Sequence, residues 1–228
     1  MNKQRFGIII ILLFLFSCSK YTYIKQDGSI EKRSFLASDN SRKKDISYIK
    51  NFDHVLINKT FNYNDSLFLY NLTSKDFYKI GNHFKYIILS LWYPNCPNTF
   101  YGEFTQIVNI ANKIKQQNKT DSIAVIIASM SYDFYEIRNS CLKYDYKFPV
   151  FIIPSEQYGD KILFKYVNFI KTLCPECYSL YNDDISKYKV FLFDSQSKVI
   201  TMHKLKYNKR LNRSELLDID SLLYYIQQ

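Results

Sequence analysis

Glycine and proline are scarce in this chain, five of each in 228 residues. The glycines are isolated, which excludes a glycine-rich loop cradling a phosphate, and the low count of both excludes a collagenous or low-complexity chain. Only three histidines occur, His54, His83 and His203, too dispersed to support a His/Asp/Ser constellation; His54 reads as structural or exposed. The apolar run from Phe6 to Phe16 is shorter than the roughly 17–25 residues a membrane-spanning helix needs. No internal repeat is visible. The acid pairs Asp183-Asp184 and Asp218/Asp220 read as ordinary surface or turn residues.

Aromatic and apolar residues are abundant. Hydrophobic residues make up 47% of the chain, with 21 Tyr and 18 Phe, ample for the packed core of one domain with an extension. The 31 basic residues outnumber 21 acidic ones, for a formal charge of +10. The lysines are scattered among Asn, Tyr and Ile rather than clustered. This reads as a solvated basic surface suited to an anionic membrane, with no nucleic-acid partner.

The N-terminus carries a basic region at Lys3 and Arg5, the apolar run, and the closing tetrapeptide Leu15-Phe16-Ser17-Cys18. That order is a secretory signal. The tetrapeptide resembles the lipobox of bacterial lipoproteins, with Phe16 bulkier than usual at its position; the alternative is an ordinary signal peptide with an incidental cysteine. The resemblance implies removal of residues 1–17 and diacylation of Cys18, with multiple acyl chains giving stable anchoring. Two basic residues and no acidic ones go with the signal, so the net charge falls from +10 to +8. The expected location is the cell envelope, with the domain outside the cytoplasm.

Residues 18–60 are polar, with turn signals at Asp27-Gly28 and Ser38 to Ser41, and read as a lipidated tether with one or two short strands. Leu67 to Leu72 and Asp76 to Ile80 read as a short hairpin. Tyr86 to Trp92 is a continuous apolar run, the pattern of a strand buried on both faces. A helix follows over Phe100 to Lys115, with apolar residues at helical spacing. Then come a strand at Ser122 to Met130, a helix at about Tyr132 to Tyr144, and a strand at Phe148 to Ile153. Residues 157–182 read as helical, interrupted at Pro175. The hairpin Val190 to Asp194 with Val199 to His203 precedes a terminal helix over Ser214 to Gln228 capped by Ser214. The fold class is α/β: a central mixed sheet flanked by helices, behind an N-terminal extension.

This order, with Trp92-Tyr93-Pro94-Asn95-Cys96-Pro97-Asn98-Thr99 after the first central strand, Phe148-Pro149-Val150 at the third and a closing hairpin at Val190 to His203, resembles the thioredoxin-like fold. More narrowly, it resembles the membrane-anchored thiol–disulfide oxidoreductases of the TlpA/ResA type. The resemblance covers residues 61–228 and implies a protein thiol or disulfide as substrate, with no cofactor. Two departures stand out. Thr99 replaces the second cysteine of the motif, and no proline stands near Tyr188, where the family has a cis-proline.

Cys96 is the candidate nucleophile. Its place before Pro97 at the start of a helix favours the thiolate, and Thr99 is placed to donate its hydroxyl from one turn on. Without a second motif cysteine, release of a mixed disulfide needs an external thiol or another cysteine in the chain. The alternative is a remnant cysteine in a non-catalytic thioredoxin-like binding module at the cell envelope. A peroxidase is a weaker third reading, since the position where such enzymes carry Thr holds Tyr93.

Cys174 and Cys177 form an intact Cys-x-x-Cys within an insertion at about 168–187. Too little chain follows for them to head a thioredoxin domain of their own. Three readings stand: a local disulfide, a resolving thiol for Cys96, or half of a zinc site needing ligands from His83, His203 or Cys141. Cys141, on a helix, reads as a core cysteine.

Overall fold

The computed structural model describes residues 20–24, 30–34, 49–50, 57, 59–63, 69–94, 101–117, 122–181, 188–196, 198–204, 207–208, 213–214 and 224. Short strands β1 (Lys20–Ile24) and β2 (Ile30–Ser34) pair antiparallel. Next come β3 (Ile49–Lys50), β4 (Leu69–Asn71), α1 (Ser74–Gly81), β5 (Tyr86–Trp92), α2 (Tyr101–Gln116), β6 (Ile123–Ser129), α3 (Phe134–Lys143) and β7 (Val150–Ile152). After them follow α4 (Ser155–Tyr158), α5 (Ile162–Leu173), α6 (Pro175–Tyr181), β8 (Tyr188–Asp194), β9 (Val199–Lys204) and the two-residue strands β10 (Tyr207–Asn208) and β11 (Arg213–Ser214).

The main sheet has seven strands in the order β3-β4-β7-β6-β5-β8-β9. The first five are mutually parallel, while β8 runs antiparallel to both β5 and β9. The three apolar runs expected as central strands are therefore neighbours, and the closing hairpin extends the same sheet. This is the thioredoxin-like arrangement.

Alternation along β5 assigns its side chains to two cores, because successive strand residues point to opposite faces. Ile87, Leu89 and Leu91 face one way, with Phe77 and Ile80 of α1 and Tyr166, Phe169 and Ile170 of α5. Ile88 and Trp92 face the other, with Phe104, Ile107 and Ile110 of α2 and Ile137 of α3. A strand so placed cannot carry a polar stripe, which is why its sequence is apolar apart from the buried Ser90.

One expectation is corrected in detail. Residues 76–80 form part of α1, not the second arm of a hairpin. Thr73 caps that helix: its hydroxyl accepts from the Asp76 amide at 3.1 Å, and the Asp76 carboxylate accepts from the Thr73 amide at 3.2 Å. This reciprocal capping box satisfies two orphan donors, and the local signal Thr-x-x-Asp outweighs the aromatic content of the segment. The terminal helix lies outside the described residues except at Tyr224, which is helical, and Ser214, which belongs to β11.

Thr73→Ala removes one arm of the box, and the loss expected in urea unfolding is about 1 kcal/mol. An unchanged midpoint would show that tertiary packing alone holds α1.

Candidate functional site

The carboxyl end of β5 is fixed from several directions. The Trp92 carbonyl accepts from the Met130 amide at 3.0 Å, which extends the pairing of β5 with β6 past the strand end. The indole packs on Phe104 with ring centroids 4.4 Å apart, and Phe104 meets the Tyr146 ring edge-on at 5.4 Å. Tyr93 turns to the opposite core and is buried there. Pro94 is half-buried and ends the described stretch. Cys96 and Thr99 lie outside the described residues, on the connection from this strand end to α2, and Cys18 lies outside them at the N-terminus.

Next to that strand end is a buried polar cluster that the sequence reading did not single out. Ser129, Ser131, Asp133 and Lys165 are all fully buried. Ser129 Oγ donates to the Ser131 carbonyl at 2.8 Å, the Asp133 amide donates to Ser131 Oγ at 3.2 Å, and Asp133 caps α3 by accepting from the Glu136 amide. Burial, and then the neighbouring Asp133 charge, push the Glu136 carboxyl up from its ordinary value. Lys165 reaches in from α5: its Nζ donates to the Met130 carbonyl at 2.9 Å and lies 4.5 Å from the Tyr132 ring centroid. The Tyr132 hydroxyl accepts from the Ser155 amide at 2.8 Å. One amine thus ties α5 to the residue that holds Trp92. A signal for it existed in the sequence: Lys165 falls on the inward stripe Ile162, Tyr166, Phe169, Ile170, Leu173.

Cys174 and Cys177 are disulfide-bonded with Cα atoms 5.3 Å apart, within the range that geometry demands. Both are buried. Cys174 ends α5, its amide bonding back to the Ile170 carbonyl at 2.7 Å, and the Cys177 amide donates to Cys174 Sγ at 3.3 Å. Of the three readings, a local disulfide describes what is present, and a bonded pair offers no thiolate to zinc.

The pair sits far along α5 from the strand end just described. Lys165 marks the carboxyl end of the sheet, and from there to Leu173 the helix advances about 12 Å. Hydrogen bonds give the direction. α1 and α5 run side by side, the Ser74 amide at the start of α1 donating to the hydroxyl of Tyr158 on α4, which leads into α5, and the Tyr78 hydroxyl donating to the Leu173 carbonyl further along. Phe77 meets Phe193 at 4.7 Å, and Phe193 pairs with Ile87 near the start of β5. The disulfide therefore lies toward the amino end of β5, whereas the chain leaves for Cys96 from the other end.

Cys141 is a free, buried cysteine on α3. Burial pushes its thiol well above the ordinary range, so it is a core group and not a nucleophile. His83 follows α1 and His203 lies in β9.

Two stability predictions follow from this geometry. Lys165→Ala leaves both a cavity and an unsatisfied Met130 carbonyl, and should cost about 2–5 kcal/mol. Lys165→Met refills the volume and should cost clearly less; equal losses in urea unfolding would mean that the hydrogen bond alone matters. For so short a loop, the chain-entropy account gives the Cys174–Cys177 bond about 2 kcal/mol. Cys174→Ala with Cys177→Ala should lose that much, and an unchanged unfolding midpoint would show the bond to be dispensable.

No protein-family model matches the sequence, and no curated protein matches it. Among solved structures, yeast Sco1 with copper bound is similar at 11% identity, over 66% of this chain and 83% of that one, with a TM-score of 0.39. A secreted disulfide oxidoreductase of Mycobacterium tuberculosis is similar at 13% identity, over 63% and 81%, with a TM-score of 0.35. The thioredoxin domain of a Bacteroides vulgatus thiol-disulfide oxidoreductase is similar at 8% identity, over 92% and 94%, with a TM-score of 0.38. Likeness at this level decides nothing about activity. Strand order, strand direction and the placement of helices on both faces make this chain thioredoxin-like in fold.

Proposed function

We propose that this chain is an extracytoplasmic thiol–disulfide exchange protein, held at a bacterial membrane through lipid on Cys18, with Cys96 as its nucleophile. The observation that carries the reading is the handover from β5 to α2. β5 has a parallel neighbour on one side and an antiparallel neighbour on the other, and its carboxyl end leads through the Cys96 connection into a 16-residue helix. In open α/β sheets the carboxyl ends of the strands are where ligands are met.

In the proposed reaction the Cys96 thiolate attacks one sulfur of a protein disulfide. A Cys96–substrate disulfide forms, the substrate disulfide breaks, and its other sulfur leaves as a thiolate that takes up a proton. The Thr99 hydroxyl stabilises the attacking thiolate by donating to it. An external thiolate then attacks the Cys96 sulfur of the mixed disulfide, and the second substrate sulfur leaves as a thiolate that takes up a proton. A second external thiolate attacks the resulting disulfide between Cys96 and the external thiol, which returns Cys96 to the thiol state and leaves the two external thiols joined as a disulfide. The Cys174–Cys177 pair is oxidised, buried and set toward the amino end of β5, so a resolving role for it requires α5 and α6 to move. The pair instead fastens the end of α5 to α6.

The test is reduction of a small protein disulfide by the purified chain with a monothiol as the electron source. Cys96→Ser should abolish turnover, and Thr99→Ala should lower it several-fold. Cys174→Ser should keep turnover and accumulate no substrate-linked species. No turnover by the unaltered chain would leave the binding-module reading in its place, full activity in Cys96→Ser would remove Cys96 as the nucleophile, and a trapped mixed disulfide in Cys174→Ser would restore the pair as the resolving thiol.

A further inference from the structure

The outer face of α5 has a composition that packing against the core does not account for. Residues three, four and seven apart share one side of a helix. Lys161, Phe164, Asn168 and Lys171 fall on the side away from the sheet, with Leu163 beside them. Phe164 is 51% exposed and Leu163 41%. Lys161 Nζ lies 5.6 Å from the Phe164 ring centroid, and Lys171 Nζ lies 5.2 Å from that of Tyr178 on α6. No acidic residue occurs from 161 to 173; Asp160 and Glu176 stand beyond the two ends.

We propose that this face is a membrane-contact surface, with Leu163 and Phe164 entering the interfacial layer of an anionic bilayer while Lys161 and Lys171 meet its phosphates. The inference rests on the lipid-anchored reading above and gives that reading an orientation. Single exposed apolar residues need no explanation. An apolar centre bracketed by lysines, with no acid between them, is the pattern of a helix lying in a headgroup region. Charge complementarity selects an anionic lipid surface over an aqueous face, and the chain without residues 1–17 carries +8, the full +10 less Lys3 and Arg5.

The anchor matters for strength. Once Cys18 holds the chain at the bilayer, the second contact is intramolecular, and a surface of modest intrinsic affinity is enough. Contact through α5 lays the α1/α5 side of the sheet on the membrane. The carboxyl ends of β5 and β6 then open sideways along the bilayer, where a membrane-borne disulfide would approach.

The experiment places a tryptophan on each side of the sheet in the full chain, anchored in vesicles with brominated acyl chains. Phe164→Trp and Leu163→Trp report on α5, and Tyr135→Trp on α3, which packs on the other face, is the control. Trp92, the only native tryptophan, is buried and common to all. With phosphatidylglycerol in the vesicles, both α5 reporters should be quenched several-fold more than the control. The difference should fall in phosphatidylcholine alone, at high salt, and in Lys161→Glu with Lys171→Glu. Equal quenching at all three sites, or none on α5, overturns the proposal, including the case in which a protein partner covers this face. Mass measurement of the N-terminal peptide separates the two readings. A lipidated chain without α5 quenching sinks this inference alone, whereas α5 quenching without lipid sinks the anchor alone.

Discussion

Burial of β5 on both faces is the constraint from which the rest of the architecture follows. Its side chains alternate between two cores, and each needs its own helical cover. The chain meets that demand by placing α1 and α5 on one side and α2 and α3 on the other. Crossing between sides forces the connections out at the strand ends. At the carboxyl end, those leaving β5 and β6 come together beside Trp92 and Met130. In the sequence, Cys96 follows on the connection that leaves from that end of β5.

α5 joins the two halves of the account. Its inner stripe seals one core and sends Lys165 to the Met130 carbonyl. Burying an amine is costly unless it is paired, and here a carbonyl and the face of an aromatic ring receive it. At its far end the helix is fastened by the Tyr78 hydroxyl and by the disulfide that leads into α6. A helix so held has little freedom to slide, which keeps the backbone around Trp92 in register with β6.

Much of this was legible in the sequence. The apolar run from Tyr86 to Trp92 announced a two-sided strand, and the spacing of Phe104, Ile107 and Ile110 announced the helix behind it. Short-range signals were harder to rank: the aromatic stretch Phe77-Tyr78 resembled strand, yet Thr73 and Asp76 decided for helix through two hydrogen bonds. Lys165 escaped notice because a lysine amid apolar residues ordinarily snorkels to solvent; only the partners at Met130 and Tyr132 explain why this one does not. The bonding of Cys174 to Cys177 could be weighed from their spacing, but their distance from the end of β5 depends on the course of α5, which no local pattern contains.

The central claim is that one of the four cysteines after Cys18 is a nucleophile and the other three are structural. Alkylation of the native protein, followed by peptide mapping, tests it most directly. The account predicts rapid modification of Cys96 at neutral pH, none of Cys141 until the protein unfolds, and none of Cys174 or Cys177 without both reduction and unfolding. A silent Cys96, with Cys174 or Cys177 labelled after mild reduction of the folded protein, would contradict it.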